Sequence, residues 1–300
     1  MKILYVTTVA LTMGFFPAHI KMLQDEGHTV ELACNLDDPL PEGAAQMNCT
    51  AHHISFSRSP LSTDNLKAYR ELKHLLTEGH YDIVHTHTPN ASTVVRLACR
   101  KLRKQGMKVF YTAHGFHFYT GAPLANWLLF YPIEWLCSRW TDVLITINRE
   151  DYARAQKKFH AKQTVYIPGV GLDTAQFGCY NTRDTKRQEL GIPADAKVLL
   201  TVGELNENKN QSVILRAMAN LDDSNLHYVL CGRGPHESSL RQLAEDLGLT
   251  GQVHLLGFRR DVPEIYPAAD LYLCPSFREG LNVSITSCSA LSIDGVPPPK

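Results

Sequence analysis

Apolar residues in this 300-residue chain fall in short dense runs separated by longer amphipathic stretches. A short continuous apolar run between polar turns predicts a strand buried on both faces. Apolar positions at helical spacing predict one face of a helix. By these rules strands are expected at 2–9, Thr29–Ala33, His52–Phe56, Ile83–Val84, Lys108–Ala113, 142–147 and Val165–Ile167. Helices are expected over Ala18–Glu26, stopped by Gly27, and over Ala91–Lys104, ending near Gly106. Another is marked by Leu61, Leu66, Tyr69, Leu72, Leu75 and Leu76 and ends at Gly79. The stretch PGVGLDTAQFG, Pro168–Gly178, carries no clear period and breaks the alternation. It then restarts, with strands at 198–202, 227–231, 253–256 and 270–273. Helices fall at about 208–219, 237–248 and 262–267, with one more beginning near Leu281. Such alternation predicts parallel sheets covered on both faces. The expected architecture is α/β: two Rossmann-like units facing a crevice, at 1–170 and 196–300, with 171–195 as link and entry to the second.

The bulk numbers narrow the function classes. Apolar residues make up 44% and charged residues 20%, enough for a large core. Lys+Arg and Asp+Glu are 30 each, so no basic balance points to nucleic acid. The local basic cluster at Arg96–Lys108 is expected to be a solvated helical face. The eight cysteines are scattered without a CxxC pair. Cys34, Cys99, Cys231 and Cys274 lie among apolar residues and read as small core hydrophobes, which fits a cytoplasmic compartment. The start, ILYVTTVALTMGFF after Lys2, is like a short signal peptide. It lacks a small-residue cleavage pattern, however, and Pro17 and His19 interrupt its sequel, so a strand, a loop at Gly14 and a helix explain it better. No apolar stretch is long enough to span a membrane.

The candidate chemistry gathers after strand ends. In KVLLTVGELNENKN, Lys197–Asn210, a strand runs into Gly203 and a polar turn, and Lys209 and Asn210 open the expected helix. Backbone N–H groups, the helix dipole and a lysine charge suit a phosphate there, although an ordinary strand-to-helix turn has the same outline. CGRGP, Cys231–Pro235, places Gly232 and Gly234 where they relieve crowding at the same edge; Arg233 is a solvent residue or a phosphate partner. In SFREGLNVS, Ser276–Ser284, Glu279 is an acceptor for sugar hydroxyls, and backbone N–H groups from Gly280 through Leu281 to Asn282 could serve phosphate. Gly14 permits close backbone approach or simply makes a tight turn, and it matches no dinucleotide fingerprint.

His85, His87, His114 and His117 also follow strands. A zinc site would need convergent partners, and neither HExxH nor HxxEH is present. His114, in a glycine-containing loop, either binds a substrate oxygen, moves a proton or caps the turn. Pro123–Trp140, PLANWLLFYPIEWLCSRW, is strongly apolar and aromatic, with Arg139 in it and Lys101, Arg103 and Lys104 nearby. It reads as a core helix or as an interface element that meets a lipid. A metal-dependent hydrolase and a nucleotide-binding module therefore stay open on these residues alone.

Taken together, YDIVHTHTPN, YTAHGFHF, IPGVGLD, VGELNENKN, CGRGP and GFRRDVPEIYPAADLYLCPSFREGLN resemble the family 4 glycosyltransferases of GT-B fold. The nearest likeness is to bacterial enzymes that build capsular or exopolysaccharide repeat units. That resemblance implies retaining transfer of a sugar from a nucleotide-sugar, with a UDP-sugar as donor and a polyprenyl-diphosphate-linked acceptor. No cofactor is implied and usually no bound metal. It implies an N-terminal unit that holds the acceptor, a C-terminal unit that holds most of the donor, and peripheral contact with the inner face of the plasma membrane. Residue by residue, Gly14 would lie near the donor phosphates. His114 would contact the donor sugar near the reacting carbon. Lys209 would neutralise the diphosphate, with Gly203, Arg233, Gly280 and Leu281 around it. Glu279 would be the first glutamate of the E-x7-E motif, gripping sugar hydroxyls.

Three positions depart from the family pattern. Glu204 stands where many members carry arginine. Ser287 stands where the second glutamate is expected, and the likeness fades after about Ile285 before SIDGVPPPK. The expectation is therefore of a chain truncated in its second unit, with reduced or no activity, or a non-catalytic relative that binds nucleotide-sugar or a partner.

Overall fold

The structure is a computed structural model that describes residues 1–169 and 181–277. Internal contacts divide the chain into two compact units, Met1–Val170 and Gly171–Lys300. The first unit runs β1 (Lys2–Val9), α1 (Pro17–Asp25), β2 (Thr29–Asn35), α2 (Glu42–Ala45), β3 (Ala51–His53), α3 (Asp64–Gly79), β4 (Ile83–Thr86), α4 (Pro89–Cys99), β5 (Lys108–Ala113), α5 (Leu124–Ser138), β6 (Val143–Thr146), α6 (Arg149–Lys158) and β7 (Gln163–Tyr166). The second runs α7 (Arg183–Glu189), β8 (Lys197–Val202), α8 (Ser212–Leu221), β9 (Leu226–Cys231), α9 (Glu237–Asp246), β10 (Val253–Leu255), α10 (Val262–Ile265) and β11 (Leu271–Tyr272). Helix α7 thus lies in the stretch assigned above to the link.

The first unit holds a seven-stranded parallel sheet in the order β3-β2-β1-β4-β5-β6-β7. Strand β1 shows why its sequence is apolar throughout. Leu4 and Val6 point to one face and pack with Leu72, Leu76 and Val95 from α3 and α4. Ile3 and Tyr5 point to the other, where Phe16, Ile20 and Leu32 cover them. The signal-like start is this strand and the turn that follows it. Gly79 does not itself adopt the left-handed cap of α3, which falls on His80 at φ 49°. The glycine is required because a Cβ there would come within 2.2 Å of the Tyr81 ring.

Two sequence readings need correction here. Arg96 is not on a solvated face: it is 1% exposed and its guanidinium meets both oxygens of the Glu134 carboxylate, at 2.8 and 3.1 Å. Arg103 is likewise held by Asp142 in a bidentate pair. Helix α5 divides the two readings of Pro123–Trp140. Glu134, Cys137 and Ser138 are buried, while Leu124, Leu128, Leu129, Trp135 and Leu136 are exposed.

The second unit holds a four-stranded parallel sheet in the order β10-β9-β8-β11. Short β11 is fastened to β8 by Asp270. Its carboxylate accepts from the Val198 N–H at 2.7 Å and from buried Arg187 at 2.8 Å. Arg187 also donates to the carbonyls of Ala194, Ala196 and Ala268, so its buried charge is fully engaged. Cys34, Cys99 and Cys231 are buried free thiols, as their apolar surroundings predict, and Cys274 is half-buried. Burial pushes the Cys34 and Cys231 thiols up to about 12, which leaves them unreactive. Among the described residues no helix is long and apolar enough to cross a membrane.

Candidate donor and acceptor sites

In an open parallel sheet, a ligand hollow forms beyond the carboxyl ends of the strands, where the strand order reverses and neighbouring loops part. Each unit has one such point. In the first it lies between β1 and β4, in the second between β8 and β11. Most of the sequence candidates cluster at these two places.

At the second unit's reversal, β8 is followed by Gly203, whose φ of 153° favours glycine. The next loop is packed backbone to backbone against the loop after β9. Gly203 donates to the Cys231 carbonyl at 2.9 Å and Leu205 to the Arg233 carbonyl at 3.0 Å. A Cβ on Gly232 would fall 1.9 Å from the Gly203 oxygen, and one on Gly234 would fall 2.2 Å from the Leu205 oxygen. CGRGP therefore carries its glycines to let the two loops touch. Gly232→Ala combines that overlap with a φ of 153°, and we expect it to cost about 3 kcal/mol or more. Differential scanning calorimetry checks this, and a wild-type melting temperature would contradict it.

Lys209 does not open an α-helix as expected. It closes a 3-10 turn, Glu207–Lys209, capped by the Asn206 side chain, which accepts from the Lys209 N–H at 3.0 Å. Asn210 then takes a left-handed conformation before α8 begins at Ser212. The turn brings the lysine back over the end of β8. Its Nζ lies 3.7 Å from where a Gly203 Cβ would be, so the ammonium sits in ordinary contact distance of the backbone just past β8. The same loop is tied to the segment after β11. Asn210 Nδ2 donates to the Pro275 carbonyl, and the Phe277 N–H donates to Asn208 O at 2.9 Å. Lys209 is thereby fixed at the β8–β11 reversal. Glu204 is exposed, and its carboxylate accepts from Asn206 Nδ2 at 3.0 Å. Arg233 is exposed too, with Nε 3.7 Å from a Gly257 Cβ position, against the loop after β10. Glu279, Gly280, Leu281 and Ser287 lie outside the described residues, as does the helix expected near Leu281.

At the first unit's reversal, Thr8 and Thr88 join the ends of β1 and β4. The Thr8 N–H donates to Thr88 Oγ1 at 2.8 Å, and the two hydroxyls are 2.7 Å apart. Gly14 lies in the exposed turn after β1, where a Cβ would come 3.2 Å from Pro41 Cγ. Behind it the histidines form a packed cluster. His85 belongs to β4 rather than following it, and its Nε2 is 2.8 Å from Thr112 Oγ1. The His87 ring lies 4.1 Å from those of both His85 and Phe16, and 5.7 Å from that of His114. Burial lowers all three histidines, with His85 brought down to about 3, so they are neutral imidazoles at neutral pH. Among the described residues, no three His, Cys, Asp or Glu side chains come together as a metal set.

His114 Nε2 and both ring nitrogens of His87 are buried without a hydrogen-bond partner among the described residues. A buried polar atom left unpaired is costly, which marks these rings as places a ligand could complete. The loop carrying His114 is held from behind. The Asp151 carboxylate, fully buried, accepts from the Phe116 N–H at 2.9 Å and from Asn148 Nδ2 at 2.7 Å. Sequence reasoning passed over Asp151. Its signal was the Asn148-to-Asp151 spacing, in which Asn148 caps α6 by accepting from the Asp151 N–H. His117 points elsewhere, stacked on Phe130 with ring centres 4.5 Å apart.

Two parallel-sheet units, each with its polar residues at a strand-order reversal, define the GT-B class of glycosyltransferases. Solved structures of that class share the fold: Anabaena HepE, crystallised with UDP and glucose, superposes with a TM-score of 0.78 at 20% identity, over 97% of this chain and 78% of its own. The chain belongs to glycosyltransferase family 4: the pattern of Glycosyltransferase Family 4 matches residues 18–175, and that of Glycosyl transferases group 1 matches residues 182–291. EpsD of Bacillus subtilis strain 168, named as a glycosyltransferase, is 39% identical over 290 residues, covering 95% of this chain and 75% of EpsD. The Escherichia coli UDP-Gal:alpha-D-GlcNAc-diphosphoundecaprenol alpha-1,3-galactosyltransferase is 26% identical over 303 residues, covering 97% and 78%.

Proposed function

We propose that the chain moves a sugar from a nucleoside diphosphate sugar, a UDP-sugar, to a lipid-linked saccharide in exopolysaccharide assembly, with retention at the anomeric carbon. The observation that carries this is the Lys209 ammonium held over Gly203 at the β8–β11 reversal. When the glycosidic bond to the donor breaks, charge builds on the leaving diphosphate. A fixed ammonium and the N–H groups around it stabilise that charge more than they stabilise the bound donor, which is the condition for catalysis. The Escherichia coli relative above, named for a UDP-Gal donor and a diphosphoundecaprenol-linked acceptor, supports the class of donor and acceptor.

The other roles follow the family likeness. His114 is neutral and its Nε2 has no partner among the described residues, which suits a hydrogen bond with a donor-sugar hydroxyl. Glu279 would accept from other hydroxyls, and the N–H groups of Gly280 and Leu281 would face phosphate. Gly14 would leave room for the diphosphate from the first unit. Arg233 would add charge at the donor site, standing in for the arginine that Glu204 replaces. The test is transfer from a panel of UDP- and GDP-sugars to a polyprenyl-diphosphate-linked saccharide, with the anomer of the product read by NMR. Turnover of one UDP-sugar with retention supports the reading. Binding without turnover would leave a nucleotide-sugar-binding relative instead.

A lipid-linked acceptor places the reaction at a membrane surface, and α5 fits one. Its exposed side chains Leu124, Leu128, Leu129, Trp135 and Leu136 repeat at helical spacing along one face. The Arg139 guanidinium lies 3.7 Å from the Trp135 ring centre at the end of this face. An apolar face ending in an aromatic–cation pair suits an anionic bilayer interface. Leu128→Glu should lower retention on phosphatidylglycerol vesicles in a flotation assay at least fivefold; equal retention would contradict it.

A further inference from the structure

A pocket of about 320 Å³ lies inside the first unit, between α3, α4, α5 and the loop 115–118. Its walls are apolar, chiefly Leu66, Tyr69, Leu97, Phe130 and Ile133. The charges beneath it are consumed within the protein. Arg96 gives Nε to the Ser92 carbonyl, one terminal nitrogen to Glu134, and the other to both Glu134 and the Ser92 hydroxyl. A pocket whose polar floor is already satisfied offers hydrocarbon contact and little else. It is not a sealed core, however. Leu66 and Leu97 are 57% and 38% exposed at its rim.

The pocket also leads somewhere. A second hollow of about 400 Å³ shares Pro60, Pro89, Asn90, His117 and Phe130 with it. That hollow opens on Thr8, Thr12, Thr88 and Arg58, at the reversal between β1 and β4. The Arg58 side chain is exposed and forms no ion pair with the described residues. The two hollows together run from an apolar chamber to hydroxyls and a cation, which is the chemistry of an amphiphile with a hydrocarbon chain and an anionic head.

We propose that the apolar pocket takes the first prenyl units of the acceptor, with the acceptor's diphosphate at Arg58 and the Thr8–Thr88 hydroxyls. This rests on the reading of a lipid-linked acceptor given above, and it assigns that acceptor a built site in the first unit. The lipid is then held by its own chain, so the sugar to be extended is presented in one orientation. A saccharide without the lipid would lose most of its affinity.

The test titrates the full chain with farnesyl diphosphate and, separately, with inorganic diphosphate, by calorimetry. Farnesyl diphosphate should bind at least tenfold more tightly, and saturating UDP should not displace it. Leu66→Asp and Leu97→Asp should each weaken farnesyl diphosphate at least tenfold and leave inorganic diphosphate unchanged, whereas Arg58→Ala should weaken both. Both leucines are already partly exposed, so the variants should keep the parent melting temperature, measured in the same samples. Equal affinity for the two probes, displacement by UDP, or an unaffected Leu97→Asp would overturn the proposal. Lipid-linked transfer separates the two levels. An unchanged acceptor KM in Leu97→Asp removes the pocket and leaves the functional reading standing. Transfer to lipid-free saccharides alone removes both.

Discussion

Lys209→Ala should lower kcat for sugar transfer by about 100- to 1,000-fold, the usual effect of removing one fixed charge-stabilising group. The fold should be unaffected. The turn around Lys209 is held by hydrogen bonds of its backbone and by the side chains of Asn206 and Asn210. In the proposed role the ammonium acts on charge present fully only as the donor bond breaks, so kcat should fall more than the donor KM rises. Lys209→Arg should recover part of the rate, because it restores charge with a broader head. Equal losses in kcat with chemically different leaving groups, or no loss at all, would show that Lys209 has no such role.

The second large effect is on stability in mild acid. His85, His87 and His114 are held neutral by burial and would each take up a proton on unfolding below their ordinary range. The unfolded chain then binds more protons than the folded one, so unfolding is favoured as pH falls through about 6.5. Each such histidine contributes up to about 1.4 kcal/mol per pH unit until its folded value is reached, about 3 for His85. Carboxylates act lower. Glu31, held to about 2 by Tyr81, Lys2 and His52 against its burial, loses its contribution only below the ordinary carboxylate range. The window between about pH 6.5 and 4.5 therefore isolates the histidines. Trp127, Trp135 and Trp140, all three tryptophans, lie in the first unit, so their fluorescence in urea reports that unit alone. The free energy of unfolding should drop steeply across the window, and His87→Leu should flatten the slope by about one proton. Parallel curves for the parent and the variant would refute the buried neutral cluster.

Much of the fold was legible because a strand buried on both faces leaves a contiguous apolar signature. Strand β1 and the run ending in Gly203 are examples. The proximity of Lys209 to Gly203 was legible too: they and the polar turn between them are near neighbours in sequence, so their closeness needs no knowledge of the fold. The lysine's setting was still misjudged, because the left-handed Asn210 separates its turn from α8. What depends on distant pairing was not legible. Arg96 looked solvated because its partner, Glu134, arrives 38 residues later on α5. The His87 environment requires β1, β4 and β5 to be adjacent, and only the sheet order reveals that. Helix α5 is apolar nearly all round, so its pattern could not say which face meets the protein.

The most direct test of the donor site is an amide NMR titration of the chain with UDP. A diphosphate held at the β8–β11 reversal should move the signals of Gly203, Lys209, Asn210 and Phe277 saturably. Lys209→Ala should weaken the binding and leave the remaining spectrum in place. Saturable binding that moves signals of the first unit alone, or no binding by the folded chain, would contradict a nucleotide-sugar site at this place.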